Sequence, residues 1–222
     1  MCMVCGLPFA SPRVLDFVDV QCGACRDQGP AFDLARCFGL YGGALRQAIL
    51  RMKFGGDERL AERMGELLLP PWQSLGAGRE FRAPLLVPVP LHPSRLRERG
   101  FNQAEWLARG VERAIARRGA FALPRLRTNC LGRKRATPPQ TGMSLAARRE
   151  NLRGAFDVTD LLAVHGREIV LVDDVMTTGA TLSACARVLK RAGAGQVMAI
   201  ALARATPQFP DLAPFAEGAP VD

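Results

Sequence analysis

Residues 169–181 read IVLVDDVMTTGAT. Four aliphatic residues lead into Asp173 and Asp174, and a Thr/Gly-rich turn follows before a helical pattern begins. Ile169–Val172 is apolar without alternation, which predicts a strand buried on both faces, as in a parallel sheet. In open α/β sheets ligands bind beyond the carboxyl ends of the strands, and both aspartates fall at that end. Thr177, Thr178, Gly179, Ala180 and Thr181 then enter a helix whose first N–H groups lack partners within it, so the turn predicts a phosphate cradle. The carboxylates cannot hold phosphate themselves; sugar hydroxyls suit them as donors, and Mg2+ suits the space nearby. The stretch lacks the G-x4-G-K-[ST] of a P-loop and the G-x-G-x-x-G of a dinucleotide fold. A strand ending in an Asp-rich turn before a Thr-capped helix would need neither the acidic pair nor three threonines.

Outward from this centre, residues 182–192 read as a helix with Leu182, Cys185, Val188 and Leu189 on its apolar side, and 197–203 as the next buried strand. Upstream, 85–89 is a strand that Pro88 weakens. A basic loop follows, then a helix to about residue 118 that Asn102 and Glu105 open as a capping box. Residues 31–41 form a strand-like stretch, and 43–70 two helices broken at Gly55–Gly56 and stopped by Pro70–Pro71. Lys53 closes the first of these helices, where a cation suits the helix dipole, and is assigned no functional role. Ser144 is placed as the cap of a short helix to about 152. The β-loop-α-β order predicts an α/β fold with a parallel sheet covered on both faces. The Pro-rich tail, 205–222, has no periodicity and predicts disorder.

Cys2, Cys5, Cys22 and Cys25 are spaced C-x2-C-x16-C-x2-C. Two such hairpin-borne pairs bring four thiolates into a tetrahedral Zn2+ site with no open position, so the metal is structural rather than catalytic. The remaining cysteines, 37, 130 and 185, make the count odd, and no signal peptide precedes them, which argues against a disulfide framework and for a cytoplasmic protein. Cys2 directly follows Met1: either the knuckle opens at the chain end or the true start lies upstream. The formal charge is +9, and only three of 30 basic side chains are lysines. Arginine favours bidentate phosphate contacts, although an Ala/Arg-rich chain also follows from genome composition. His92 and His165 are isolated and are read as turn or surface residues.

IVLVDDVMTTGAT resembles the phosphoribosyl-pyrophosphate (PRPP) signature of type I phosphoribosyltransferases. Together with the cysteine pairs, VPVPLHPSRLRERGFNQAE and RATPPQTGMSLAARRENLRGAF, it is similar to the ComF family. In that group a zinc ribbon precedes a phosphoribosyltransferase domain, and the proteins are linked to DNA uptake in natural transformation. The resemblance runs from Cys2 to about residue 204. It implies a type I phosphoribosyltransferase-like parallel sheet flanked by helices over 31–204, with a hood over 31–70, behind a small four-cysteine zinc ribbon at 1–30. It also implies that Asp173 and Asp174 contact ribose hydroxyls while 177–181 holds the 5′-phosphate. Arg95, Arg99, Asn102 and Gln103 then form a pyrophosphate loop, and Thr137, Gln140, Arg148 and Asn151 belong to a mobile loop that closes over PRPP.

Two functions are expected to compete. One is Mg2+-dependent phosphoribosyl transfer to an acceptor the sequence does not name, with no catalytic base identified. The other is a non-catalytic role in binding single-stranded DNA or sensing PRPP beside the DNA-uptake and helicase machinery. A purine or pyrimidine salvage enzyme fits the central motif alone and leaves the knuckles unexplained. The few aromatic residues do not advertise a base-stacking platform.

Overall fold

A computed structural model describes residues 1–9, 20–77, 81–119, 123–136, 147 and 150–206. In chain order its elements are α1 (Gly23–Gln28), β1 (Leu34–Leu40), α2 (Gly43–Phe54), α3 (Glu58–Gly65), a 3-10 turn (Glu66–Leu68), α4 (Leu69–Gly76), β2 (Leu85–Pro88), α5 (Pro93–Arg99) and α6 (Gln103–Arg117). There follow β3 (Arg125–Leu126), β4 (Leu131–Arg133), β5 (Phe156–Val158), α7 (Leu161–Val164), β6 (Glu168–Met176), α8 (Ala180–Arg191) and β7 (Gln196–Arg204).

Five strands pair in parallel in the order β1-β7-β6-β2-β3, and β4 and β5 form a separate antiparallel ribbon. Ile169–Val172 and Val197–Ala203 are wholly buried at the sheet centre, as their unbroken apolar runs require. Strand alternation sorts these side chains. Ile169, Leu171, Val197, Ala199 and Ala201 pack with α8 and the N-terminal cysteines, whereas Val170, Val172, Met198, Ile200 and Leu202 pack under α2, α3, α4 and α6. The expected α/β sheet flanked by helices is therefore present. No helix among the described residues is long and apolar enough to cross a membrane.

Several local expectations change. Pro70 and Pro71 sit in the first turn of α4, where a missing N–H leaves no acceptor unsatisfied, so they start a helix rather than stop one. The basic loop after β2 winds into α5, capped by His92, whose Nδ1 accepts the Ser94 N–H at 3.2 Å. Asn102 opens α6 by accepting the Ala104 N–H at 3.1 Å, but Glu105 does not complete a capping box, because it pairs with Arg109 at 2.6 Å. Within the 31–70 segment, residues 34–40 form the edge strand of the main sheet, and α2 and α3 lie over its face. The Ser144 cap and the tail beyond residue 206 lie outside the described residues.

Helices α3 and α6 touch backbone to backbone at Gly65 and Gly110. A Cβ on Gly110 would overlap the Glu62 carbonyl oxygen and stand 2.9 Å from Gly65 Cα. Gly110→Ala is expected to lower stability by about 1–3 kcal/mol through overpacking, read as a drop in urea midpoint. Gly23→Ala, where a Cβ meets nothing within 4 Å, serves as the control with little change.

Candidate functional site

Asp173 and Asp174 lie inside β6, so successive side chains leave on opposite faces of the sheet. That lessens their repulsion without removing it: the two neighbours in sequence do not share a pocket. Asp174 is 4% exposed and turns toward the α2/α6 layer. There Lys53 Nζ stands 3.1 Å from its Oδ1, and Gln103 Nε2 donates to its Oδ2 at 2.9 Å. Burial alone would raise the Asp174 carboxyl, but the Lys53 ammonium and the Gln103 amide outweigh it and hold the group below its ordinary value.

Asp173 faces the other layer, toward Cys185 and Arg133, and is only partly buried. Its Oδ1 accepts the Asp174 N–H at 2.9 Å. Burial and then the neighbouring Asp174 charge push this carboxyl up to about 7. Asp174 is thus ionised and saturated with donors, and Asp173 is the carboxylate with room for a ligand.

The turn after β6 carries the second half of the motif. Gly179 has φ +77° and is the N-cap of α8, with no side chain of its own to cap the helix. A Cβ there would also stand 2.9 Å from Met176 Cε, so this glycine answers both a backbone and a space requirement. Thr178 Oγ1 lies 3.4 Å from the Ala180 N–H, and Thr181 sits one residue into the helix. Partial positive charge at the end of a twelve-residue helix favours an anion there.

Among the other expected residues, Arg95 and Arg99 are one helical turn apart on α5 and share a face. Arg95 pairs with Glu98 at 3.0 Å, the Arg99 guanidinium lies 5.8 Å from the Phe54 ring centroid, and its charge acts on Asp174. Asn102 uses both ends of its amide within the fold, capping α6 and donating to the Val89 carbonyl at 3.1 Å. Gln103 serves Asp174. Thr137, Gln140 and Arg148 lie outside the described residues, and the Asn151 carbonyl accepts from Arg135 at 2.6 Å. The ribbon β4–β5 brackets that segment and sets Arg133 on the Asp173 side.

Sequence reasoning misses two residues of the site: it gives Lys53 only a helix-end role and does not single out Arg133. The one available signal for Lys53 is rarity: each of the three lysines is ion-paired, to Asp174, Asp157 and Asp33.

The four N-terminal cysteines form a second centre. Their sulfur atoms lie within 4.8 Å of one another, all buried, with Cys5 Sγ and Cys22 Sγ 3.7 Å apart. A tetrahedron with Zn–S bonds of about 2.3 Å has edges of about 3.8 Å, so the donor set fits a metal such as zinc. Burial raises the Cys5 thiol to about 11 and pushes Cys25 up too; at Cys2 burial is outweighed by N–H bonds from Cys5, Cys22 and Val4, which bring it to about 7. A bound cation reverses such burial effects, because a coordinating thiol is deprotonated.

Residues 128–214 match the family model described as a phosphoribosyl transferase domain. The chain is 32% identical over 197 residues to Competence protein F of Haemophilus influenzae, covering 86% of this chain and 81% of that one. It is 32% identical over 207 residues to the DNA utilization protein YhgH of Escherichia coli K12, covering 92% and 84%. Competence protein ComFC of Bacillus subtilis is 28% identical over 193 residues, covering 87% and 72%. With this similarity over most of its length, the cysteine quartet and the domain match, the chain belongs to the ComF family of competence and DNA-utilization proteins.

Proposed function

We propose that the chain binds PRPP with Mg2+ at the carboxyl end of β6 and transfers its phosphoribosyl group to an acceptor in the service of DNA uptake. The observation that carries this reading is the partly exposed Asp173, one short turn ahead of a helix N-terminus pivoted on Gly179. Ribose hydroxyls donate to Asp173, and the 5′-phosphate accepts from the N–H groups of 178–181. Asp174 acts beside them as a fixed charge that holds Lys53 at the rim of the site. Arg95, Arg99 and Lys53 attract the pyrophosphate, while Asn102 and Gln103 keep α6 and Asp174 in register. The loop containing Thr137, Gln140, Arg148 and Asn151 closes over the ligand and excludes water.

The acceptor's lone pair attacks the anomeric carbon, whose bond to pyrophosphate oxygen breaks with the electron pair leaving on pyrophosphate; the acceptor then gives up its proton. A bound Mg2+ supplies charge neutralisation to that leaving group. The relatives' names place competence and DNA utilization with those proteins, and a cytoplasmic role beside the uptake and helicase machinery follows for this chain as part of the proposal.

A second reading, single-stranded DNA held without turnover, is favoured by Phe54. This residue is 61% exposed at the end of α2, with the Arg99 guanidinium 5.8 Å from its ring centroid, a platform on which a base can stack. DNA affinity that falls steeply with salt, with slope reduced in Arg99→Ala, is the expected result of this reading, and salt-insensitive or absent binding removes it.

PRPP with Mg2+ is expected to raise the thermal midpoint of the wild type, and no shift refutes the ligand assignment. Asp173 sits above its ordinary value, so its contribution to stability is present at low pH and is lost as pH rises through about 7. Asp173→Asn is therefore expected to gain stability on the wild type at pH 8 while losing the PRPP shift, and wild-type PRPP affinity should climb as pH passes about 7. Asp174 carries the opposite sign: its stabilisation is present at neutral pH and is lost on acidification. Asp174→Asn should lose about 3 kcal/mol at pH 8, in denaturant titration, by leaving Lys53 unpaired.

A further inference from the structure

Arg204, at the end of β7, is 7% exposed, and Arg36, on β1, is 8% exposed. Burying a guanidinium is costly unless an anion or several acceptors answer it. Neither arginine is ion-paired to a carboxylate among the described residues. Arg36 is answered by neutral acceptors: Nη1 donates to the Met3 carbonyl at 3.0 Å and the Ala35 carbonyl at 2.8 Å, and Nε to Ser74 Oγ at 3.3 Å. Met3 lies within the Cys2–Cys5 turn, so this arginine already grips the knuckle. Arg204 is answered far less. Nη2 donates to Cys5 Sγ at 3.8 Å, while buried Nε and Nη1 have no partner.

The missing anion is the metal centre. Four thiolates around one Zn2+ carry two negative charges, and two buried guanidinium groups carry two positive ones. We propose that Arg204 is the hydrogen-bonding counter-charge of the cysteine metal site, with Arg36 as the second cation that seats the Cys2–Cys5 turn on the sheet. Arg204 lies in register with Met176 on β6, directly before Thr177, and with Leu40 on β1. The metal centre is thereby tied electrostatically to the strand beside the phosphate turn. Thiolates around a metal give Arg204 the anion that neutral sulfur does not, while the carbonyl contacts of Arg36 already hold the knuckle on the sheet.

This rests on the metal reading of the four cysteines, and the test separates the two. Zinc content and affinity are measured on the full chain by competition with a chromophoric chelator. A wild type without tight zinc, about one per chain, removes the metal reading itself. With zinc present, Arg204→Met is expected to weaken it about 10–100-fold, the range for outer-shell partners of metal ligands, and Arg204→Lys to lose less. Zinc affinity in Arg204→Met within about twofold of wild type, on the same scale, overturns the proposal. In the Co2+-substituted protein, loss of the donor to Cys5 should move the thiolate-to-metal charge-transfer band to lower energy. Should Arg204→Met fail to fold, the Co2+ spectrum of Arg204→Gln, which removes the charge but keeps a polar side chain, decides: a band unmoved from wild type overturns the proposal.

Discussion

The backbone of β6 places two adjacent carboxylates on opposite faces of one sheet, and most of the candidate site follows from that constraint. Had the pair lain in a loop, both charges would have shared one space and one proton. Within a strand they face different neighbours. One meets Lys53 and Gln103 and is held ionised; the other, less well supplied with donors, is left with a raised pKa and partial exposure. The same alternation sorts the hydrophobic core into two layers, so site and core obey a single periodicity.

That organisation is only partly legible in the sequence. Unbroken apolar runs at 169–172 and 197–203 announce strands buried on both faces, because a covered parallel sheet buries every residue of such a run. The entry of 177–181 into a helix is legible too, since Gly179 and its flanking threonines are local chemistry. Pairings across long sequence separations are not. Lys53 and Asp174 are 121 positions apart, and a lysine at a helix end has an adequate local reason to be there. The family resemblance sets Gln103 in a pyrophosphate loop, yet its amide donates to Asp174. Pro70 and Pro71 mislead for a related reason: proline marks a helix boundary without saying which end.

The cysteine segment is more closely joined to the domain than a small appendage would be. The Ala35 N–H donates to the Val4 carbonyl at 2.7 Å, so the knuckle touches the edge strand β1, which pairs only with β7 in the sheet. Its cysteines pack in the same cluster as Ala35, Ala199 and Ala201, where small side chains leave room for the knuckle's close approach. An exposed parallel edge invites pairing with other chains, and the cysteine turn laid against it blunts that tendency. The segment therefore acts on the fold in two ways, as a cover for one edge and as part of one core layer.

Covering that edge also bears on the ligand end of the sheet. Cys37, Ala201 and Asp173 occupy one row across β1, β7 and β6, and Leu40, Arg204 and Met176 occupy another. Both rows run through β7, which pairs with β1 on one side and β6 on the other. Gly179 packs against Met176 and Phe32, both members of the core layer that contains the cysteines. The turn at 177–181 is thus braced from the knuckle side of the sheet, while Lys53 and Gln103 hold Asp174 from the other. A candidate site whose halves are fixed from opposite layers keeps its geometry only while both layers stay packed, which ties the cysteine segment to the carboxyl end of the sheet.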